Sequence, residues 1–326
     1  MDINQVGEAR AVGHSEAWPR IAVLIPCYNE EVAVAEVVRD FRAALPQATI
    51  YVYDNNSRDR TVEVARAAGA VVRTERLQGK GHVIRRMFAD VEADAYVLVD
   101  GDATYHAASA PAMLRMLLTD GLDMVNGTRV TAIEAAYRHG HRLGNQVLTG
   151  IVRFIFGNRI TDMLSGYRVF SRRFVKTFPA LSSGFETETE FTVHALELDM
   201  PTGELETPYK DRPVGSVSKL NTYRDGLRIL STIVQLVKEE RPLQFFGVAG
   251  LILLVLASLF ALPIVAEFMY TGLVPRFPTA ILATGLVLLG FLSFVCGLVL
   301  DSVARGRKEL KRLAYLAVPA VRAEGF

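Results

Sequence analysis

Apolar strand patterns alternate with helical patterns along the first third of the chain. The run IAVLIPC, beginning at Ile21, predicts a buried strand, and the three- and four-residue spacing of apolar positions in EVAVAEVVRDFRAAL predicts a helix. The strand patterns TIYVYD, AVVRTE and AYVLVD follow, separated by the helical patterns RTVEVARAAG and GHVIRRMFADV. This order predicts an α/β domain with a doubly wound, mostly parallel sheet, whose ligands bind outside the carboxyl ends of the strands.

The periodicity weakens after MVNGTRV, which predicts a fifth strand. Residues Tyr137 to Gly157 predict a helix, and TDMLSGYRVFSRR predicts a loop that leads into another helix. The segment GFETETEFTVHALEL mixes apolar and acidic positions, so helix and strand both remain open for it.

An amphipathic helix is predicted for NTYRDGLRILSTIVQLVKEE, at residues 221–240. Such a helix can lie in a membrane interface, although an ordinary amphipathic helix packed on the domain is the alternative. Its apolar face consists of Leu227, Leu230, Ile233, Val234 and Val237.

Two uncharged segments, Phe245 to Val265 and Thr279 to Leu300, predict membrane-spanning helices. Each is long enough to cross a hydrocarbon core of roughly 30 Å, and soluble cores rarely use uncharged runs above about 18 residues. The linker Ala266 to Pro278 carries one Glu and one Arg, whereas five basic residues lie at positions 305–312, after the second segment. Because cytoplasmic flanks are enriched in Lys and Arg, the N-terminal domain is expected on the cytoplasmic side of the inner (plasma) membrane. The five basic residues are Arg305, Arg307, Lys308, Lys311 and Arg312.

Composition narrows the functional classes. The 326 residues are 50% hydrophobic with a formal net charge of +1, and no dense Lys/Arg block stands out, so nucleic acid is not an expected partner. Cys27 and Cys296 lie far apart in sequence, so we expect no disulfide and a reducing compartment. Residues 1–20 lack the apolar stretch of a signal peptide and are expected to form a flexible leader.

Acidic and polar residues follow the predicted strands. Asp100 and Asp102 come directly after AYVLV, and two carboxylates joined by a glycine suit a divalent cation that also holds phosphates. Solvated aspartates in a turn would give the same Asp-x-Asp pattern, so the pair alone is weak evidence. Other strand ends of the same sheet edge strengthen the prediction. They carry Pro26, Tyr28, Asn29, Glu30 and Asp54.

With these motifs, residues 21–300 resemble glycosyltransferase family 2, and within it the polyprenyl-phosphate glycosyltransferases similar to dolichyl-phosphate mannose synthase. The resemblance implies a GT-A-like fold in which the segment matching PCYNE and the aspartate matching Asp54 hold the nucleoside. It implies that the pair matching Asp100 and Asp102 holds Mg²⁺ or Mn²⁺ on the diphosphate. The expected reaction is inverting transfer of a sugar from a nucleotide diphosphate sugar to a membrane-bound polyprenyl phosphate.

The resemblance also suggests residues that contact the donor. Lys80 in GKG matches a segment near the nucleotide, although a loop with a solvated lysine is an equal alternative. Arg212 and Lys219 match basic positions that clamp the diphosphate or the lipid phosphate. Thr104 departs from the pattern, because some relatives supply an amide metal ligand there.

A second set of matches concerns the acceptor. Arg129 in NGTRV matches a basic position that helps to hold the acceptor phosphate, and Arg142 is a weaker match of the same kind. Asp162 matches an aspartate proposed as the catalytic base, with Ser165 and Arg168 nearby as phosphate ligands. A phosphate monoester is largely dianionic at pH 7, so we expect Asp162 to orient the arginines or the metal ligands rather than to remove a proton; a helix or loop cap is its structural alternative.

Rival functions are less well supported. A processive polysaccharide synthase would carry Gln-x-x-Arg-Trp, and a nicotinamide dehydrogenase would carry Gly-x-Gly-x-x-Gly after the first strand. A non-catalytic nucleotide-sugar-binding scaffold and a GDP-mannose-dependent enzyme remain alternatives, although the resemblance of DGDATY to relatives that use UDP-glucose or UDP-N-acetylhexosamine favours those donors. Homo-oligomers through the membrane helices also remain open. The predicted organisation is leader 1–20, transferase domain 21–220, juxtamembrane helix 221–243, membrane hairpin 244–300 and basic cytoplasmic tail 301–326.

Overall fold

One mixed sheet forms the centre of the domain in the computed structural model, which describes residues 19–130, 150, 160–184, 186–213 and 222–321. The strands are β1 (Ile21–Cys27), β2 (Thr49–Asp54), β3 (Val71–Thr74), β4 (Ala95–Leu98), β5 (Met124–Val130), β6 (Arg168–Ser171) and β7 (Thr202–Pro208). Their order in the sheet is β3-β2-β1-β4-β6-β5-β7. Because β6 runs antiparallel to both β4 and β5, the other strands all point the same way.

Helices cover both faces of this sheet. They are α1 (Val34–Ala44), α2 (Thr61–Ala67), α3 (Lys80–Asp90), α4 (Ala110–Thr119), α5 (Arg172–Thr177), α6 (Thr187–Glu197), α7 (Thr222–Glu240), α8 (Pro242–Thr271) and α9 (Phe277–Ala317). Successive side chains of a strand point to opposite faces. In β1, Val23 and Ile25 therefore join one core with Phe41 of α1, whereas Leu24 joins a second core with Phe88 of α3.

The doubly wound, mostly parallel sheet predicted from the sequence is confirmed. The loop prediction was wrong at Arg168–Ser171, which form β6 in the middle of the sheet. The acidic segment that left helix and strand open is the fully buried helix α6, and β7 was not predicted at all. The helix predicted for Tyr137 to Gly157 lies outside the described residues, apart from Gly150.

Helix α7 buries one of its predicted apolar residues against the domain and leaves others exposed. Ile233 is buried against Met163 and Val193 of the domain, which is the packing that the alternative interpretation predicted. Leu227 and Val234 are instead exposed. The helix therefore packs on the domain and leaves part of its apolar face uncovered.

Helices α8 and α9 form an apolar antiparallel hairpin, and both are long and apolar enough to cross a membrane. Gly272 ends α8 in the left-handed region, at φ 67°. Close packing joins the helices at Gly250, where an added Cβ would lie 2.8 Å from the Gly290 carbonyl oxygen. Most of their large side chains are exposed, so their apolar surface is uncovered by the described protein.

Helix α9 continues well beyond Leu300, the predicted end of the second span, and reaches the domain. Lys311 Nζ lies 2.7 Å from Glu197 Oε2 of α6 and 3.1 Å from Glu240 Oε1 of α7. Tyr315 donates a hydrogen bond to the buried Asp123, with its hydroxyl oxygen 2.7 Å from Oδ2. The first part of the predicted basic tail is thus a helical arm that binds the domain.

Candidate active site

The predicted donor-binding residues lie along one edge of the sheet. Strands β1, β2 and β4 run parallel and end at this edge, and β1 lies between the other two. This is the position where doubly wound sheets form ligand crevices. Pro26 lies near the end of β1, the half-buried Tyr28 follows the strand, and Asp54 is the last residue of β2.

Hydrogen bonds join the turns that follow β1 and β2. Asn29 has a left-handed backbone at φ 53°, donates its N–H to Ser57 Oγ at 2.9 Å and accepts the Arg58 N–H at 2.8 Å. The Ser57 N–H donates to Asp54 Oδ2 at 3.2 Å, while the Glu30 N–H donates to a threonine hydroxyl of α2 at 2.8 Å. These bonds fix the relative position of the two predicted nucleoside-binding segments.

A buried lysine connects Asp100 to α6. Lys80 Nζ lies 2.5 Å from Asp100 Oδ1 and forms a second ion pair with Glu188. Burial lowers the pKa of the Lys80 ammonium, but the two carboxylates outweigh it and raise that pKa overall. Burial raises the pKa of the Glu188 carboxyl, and Lys80 opposes that effect. Glu188 Oε2 has no hydrogen-bond partner among the described residues.

The backbone on either side of Lys80 explains its placement. An added Cβ at Gly79 or Gly81 would lie 2.1 Å from the carbonyl oxygen of Ser183 or Ser182, respectively. Only glycine leaves room for this close approach, and Gly79 also has φ 135°. Asn55 Oδ1 accepts the Gly79 N–H at 2.7 Å. The GKG segment is therefore held between the strand ends and the loop before α6.

Asp102 is buried, and the negative charge of its carboxylate is balanced by Arg212. Arg212 Nη2 lies 2.6 Å from its Oδ2, and the Thr104 hydroxyl donates to its Oδ1 at 2.6 Å. Burial, followed by the charge of Asp100, raises the pKa of the Asp102 carboxyl, whereas Arg212 lowers it. Arg212 also lies 3.8 Å from Glu30, so it links the end of β1 to the predicted metal pair.

These residues fit a divalent cation that shares its ligands with substrate. The described residues contain no group of three His, Cys, Asp or Glu side chains suited to a metal. The predicted donor set is the two hard carboxylates of Asp100 and Asp102, whose chemistry suits Mg²⁺ or Mn²⁺ completed by phosphate oxygens and water. Their counter-ions, Lys80 and Arg212, are long side chains that can move to a bound diphosphate.

Arg129 and Asp162 form a bidentate ion pair near the end of β5. Arg129 Nε lies 2.7 Å from Asp162 Oδ2, and its Nη2 lies 2.8 Å from Oδ1. Asn126 fixes the loop by donating to the Asp162 carbonyl at 2.9 Å and to Glu204 Oε1 of β7 at 2.9 Å. The Arg129 guanidinium also lies over the Tyr209 ring, 5.6 Å from its centroid.

The loop containing Asp162 approaches the predicted metal pair at Gly166. A Cβ added there would lie 2.4 Å from Asp100 Oδ2. The Gly166 N–H donates to the Tyr105 hydroxyl at 2.8 Å, and the buried Ser165 donates its hydroxyl to the Gly127 carbonyl at 2.6 Å. Predicted donor and acceptor residues are thereby joined by a short and tightly packed loop.

Arg168 is fully buried, in β6. Its guanidinium donates to the Met163 carbonyl at 2.6 Å, to the Ser165 carbonyl at 3.2 Å and to the Thr192 hydroxyl at 3.1 Å. Burial lowers the pKa of this guanidinium to about 10. The predicted contact of Arg168 with phosphate stays a prediction, and the observed contacts are those of a residue that supports the loop.

Several supporting residues were not predicted from the sequence, and two predicted residues cannot be compared with the structure. Lys219 and Arg142 lie outside the described residues. Glu188 lies in the acidic segment GFETETEFTVHALEL, to which no functional role was assigned, and its burial beside Lys80 was not foreseen. The supporting residues Asn55, Tyr105, Asn126 and Glu204 were not assigned; Asn55 directly follows β2, whereas Asn126 and Glu204 lie within β5 and β7.

Comparisons with known proteins identify the family. The model of glycosyl transferase family 2 matches residues 22–178. Glycosyltransferase AglJ of Haloferax volcanii is 36% identical, over 71% of this chain and 76% of its own length. The chain belongs to glycosyltransferase family 2. The dolichyl-phosphate hexose transferase of Haloferax volcanii is 28% identical to this family 2 member, over 68% of this chain and 95% of its own.

A solved structure confirms the fold of this glycosyltransferase. The glucosyl-3-phosphoglycerate synthase of Mycobacterium tuberculosis, in complex with Mn²⁺, UDP-glucose and phosphoglyceric acid, matches with a TM-score of 0.53. The match covers 67% of this chain and 79% of that chain at 22% identity. The GT-A-like architecture expected from the sequence is therefore confirmed.

Proposed function

We propose that this glycosyltransferase moves a sugar from a nucleotide diphosphate sugar to a polyprenyl phosphate at the cytoplasmic leaflet, with inversion at the sugar carbon. An acceptor phosphate oxygen forms the new bond to the anomeric carbon, while the bond from that carbon to the diphosphate breaks and the nucleoside diphosphate leaves. The name of the dolichyl-phosphate hexose transferase relative supports a lipid phosphate acceptor.

The observation that carries this proposal is the attachment of the domain to the apolar hairpin. Helix α9 leaves the hairpin and binds the domain through Lys311 and Tyr315. Helix α7, which leads into the hairpin, leaves Leu227 and Val234 exposed. A membrane-bound acceptor explains why a transferase domain would be held so near to two apolar helices.

The chain's own residues would bind and orient the two substrates. Lys80 and Arg212 lie on the carboxylates of Asp100 and Asp102, which places both cations within reach of a diphosphate bound there. Mg²⁺ or Mn²⁺ held by the pair would neutralise the charge that develops on the leaving diphosphate. Arg129, fixed by Asp162, would hold the acceptor phosphate in line with the sugar.

We favour UDP-glucose or a UDP-N-acetylhexosamine as the donor. Support comes from the DGDATY motif and from the complex of the mycobacterial enzyme with UDP-glucose, although that enzyme shares only the fold. Lys219 remains a proposed contact of the diphosphate or lipid phosphate. The proposed localisation is the inner (plasma) membrane.

The decisive experiment uses the purified full-length chain in lipid nanodiscs. It is incubated with radiolabelled UDP-glucose, UDP-N-acetylglucosamine or GDP-mannose, each with a polyprenyl phosphate or with phosphoglyceric acid. We expect an organic-extractable product from one UDP-sugar and the polyprenyl phosphate. Transfer only to the water-soluble acceptor would overturn the lipid assignment, and binding of the donor without transfer to either acceptor would favour a scaffold.

A further inference from the structure

Lys80 occupies the position next to Asp100 that a metal ion would need. Its ammonium donates to Asp100 Oδ1 at 2.5 Å, and Asp100 is one of the two proposed metal ligands. An ammonium and a divalent cation on the same carboxylate would repel each other strongly in a buried setting. Lys80 must therefore leave Asp100, at least in part, when the cation binds.

Glu188 is placed to receive the displaced ammonium. Its carboxylate already forms an ion pair with Lys80, and its side chain is only 6% exposed. The other oxygen, Oε2, has no hydrogen-bond partner among the described residues. A buried carboxylate with one oxygen open in this way can accept a second hydrogen bond from the same ammonium.

We propose that Glu188 is a positioning residue for cation binding. It holds the Lys80 ammonium through both carboxylate oxygens when the cation takes the position at Asp100. This inference rests on the proposed function, because it requires that Asp100 and Asp102 hold the cation. A purely structural counter-ion would instead change stability without changing metal affinity.

The two partners of this ion pair should act on Mn²⁺ binding in opposite directions. Lys80→Met removes the competing charge, so Mn²⁺ alone should bind about tenfold more tightly. Glu188→Gln leaves the ammonium no second carboxylate, so it stays at Asp100 and Mn²⁺ should bind about tenfold more weakly. The double variant Lys80→Met/Glu188→Gln should bind like Lys80→Met, since no ammonium remains to be held.

Glu190→Gln is the matched control. Glu190 lies two residues after Glu188 on α6 and is also buried, but its Oε2 accepts a hydrogen bond from the Ser182 N–H at 3.1 Å. Its variant should keep the Mn²⁺ affinity of the wild type within about twofold, because no charge that contacts Asp100 is altered.

The test is a Mn²⁺ titration of the purified full-length chain without nucleotide, in which free Mn²⁺ is followed by electron paramagnetic resonance. Thermal unfolding of each variant is recorded in parallel. Glu188→Gln with lowered thermal stability but wild-type Mn²⁺ affinity would identify a structural counter-ion and overturn the inference. The double variant loses both charges of the buried pair together and is the least prone to misfold; weaker Mn²⁺ binding than wild type in it would also overturn the inference.

Failure of the proposed metal site is distinguishable from failure of this inference. If Asp102→Asn binds Mn²⁺ as the wild type does, the pair is not the metal site, and both the site and the inference are wrong. If Asp102→Asn loses Mn²⁺ while Glu188→Gln and Glu190→Gln both keep it, only the role of Glu188 is wrong.

Discussion

Arg129 binds Asp162 through two nearly equal hydrogen bonds, from Nε to Oδ2 at 2.7 Å and from Nη2 to Oδ1 at 2.8 Å. A guanidinium bound in this way is fixed in its plane, and both carboxylate oxygens are used. The arrangement supports the proposal that Asp162 orients Arg129 rather than removing a proton.

The proposed metal pair gives the first prediction. Asp102→Asn removes a charge and keeps the volume, so sugar transfer should fall by about 100-fold or more while the fold is retained. Transfer is measured at saturating donor with Mn²⁺ or Mg²⁺ present, and folding is checked by thermal unfolding. Wild-type enzyme in EDTA should lose activity and recover it when Mn²⁺ is added back. Full activity of the variant, or of the wild type in EDTA, would contradict the metal role.

Gly166 gives a prediction about geometry. Gly166→Ala would place a methyl carbon 2.4 Å from Asp100 Oδ2, so the carboxylate or the loop must move. Because transfer would depend on the position of the proposed metal ligands, we expect about a tenfold loss of turnover with little change in thermal stability. The control is Gly306→Ala, where an added Cβ meets nothing within 4 Å. Equal turnover in both variants would show that the approach of Gly166 to Asp100 is unimportant.

The sequence predicts the first five strands because each has its own apolar pattern, and the crevice follows from their parallel order. It does not predict β6, whose four residues begin with an arginine and run directly into α5. Periodicity also failed for α6, because the whole helix is buried and its acids are therefore not confined to one face.

The roles of the candidate site residues could likewise be predicted only in part from the sequence. Asp100 and Asp102 could be chosen because charge at a strand end is visible in the sequence. The family resemblance suggests a phosphate contact for Arg168, but the sequence does not predict the hydrogen bonds that its guanidinium donates to backbone carbonyls inside the domain. The partner of Lys80 could not be chosen among the acids of ETETE, because the orientation of the helix decides which acid meets it, and Glu188 is the one in the observed ion pair.

The helical arm gives a prediction about stability. Lys311→Met leaves Glu197 and Glu240 close together without their shared cation. Burial and, as the second cause, the charge of Glu240 raise the pKa of the Glu197 carboxyl to about 7. Ionising both acids at once is therefore already unfavourable. We expect a loss of about 2 kcal/mol at pH 8, below the roughly 3–5 kcal/mol for fully buried pairs because Lys311 is 25% exposed.

The release of the arm from the domain is measured by thermal unfolding and by limited proteolysis at sites that follow α9 in the chain. Lys308→Met is the matched control, since Lys308 Nζ lies 4.0 Å from Asp199 at the edge of the same contact. At pH 5 the cost of Lys311→Met should shrink, because Glu197 is then protonated in the folded protein and needs no cation. Equal effects of both substitutions, or an effect that grows at pH 5, would contradict this account.

Membrane orientation can be tested with reporters. A cysteine introduced at Gly272, which ends α8, should react with an impermeant thiol reagent from the extracytoplasmic side in the Cys27→Ala/Cys296→Ala background. A tag at either terminus should be protected in intact cells, because the basic residues follow the second apolar segment. The opposite pattern would separate the crevice from cytoplasmic nucleotide sugars and end the proposed function.

The Arg129–Asp162 pair gives the last prediction, which separates an orienting group from a base. The second pKa of a phosphate monoester is near 6, so the acceptor itself should impose a decline in kcat/KM as the pH falls through roughly 6. Asp162→Asn keeps one hydrogen-bond acceptor for Arg129 and removes the charge, so we expect a rate about 10- to 100-fold lower. The measurement is the pH profile of kcat/KM for the acceptor at saturating donor, for wild type and Asp162→Asn. If Asp162 only orients Arg129, both profiles share the same acidic limb, because that limb belongs to the acceptor phosphate. If the limb disappears with the carboxylate, Asp162 is the general base and the orienting role is wrong.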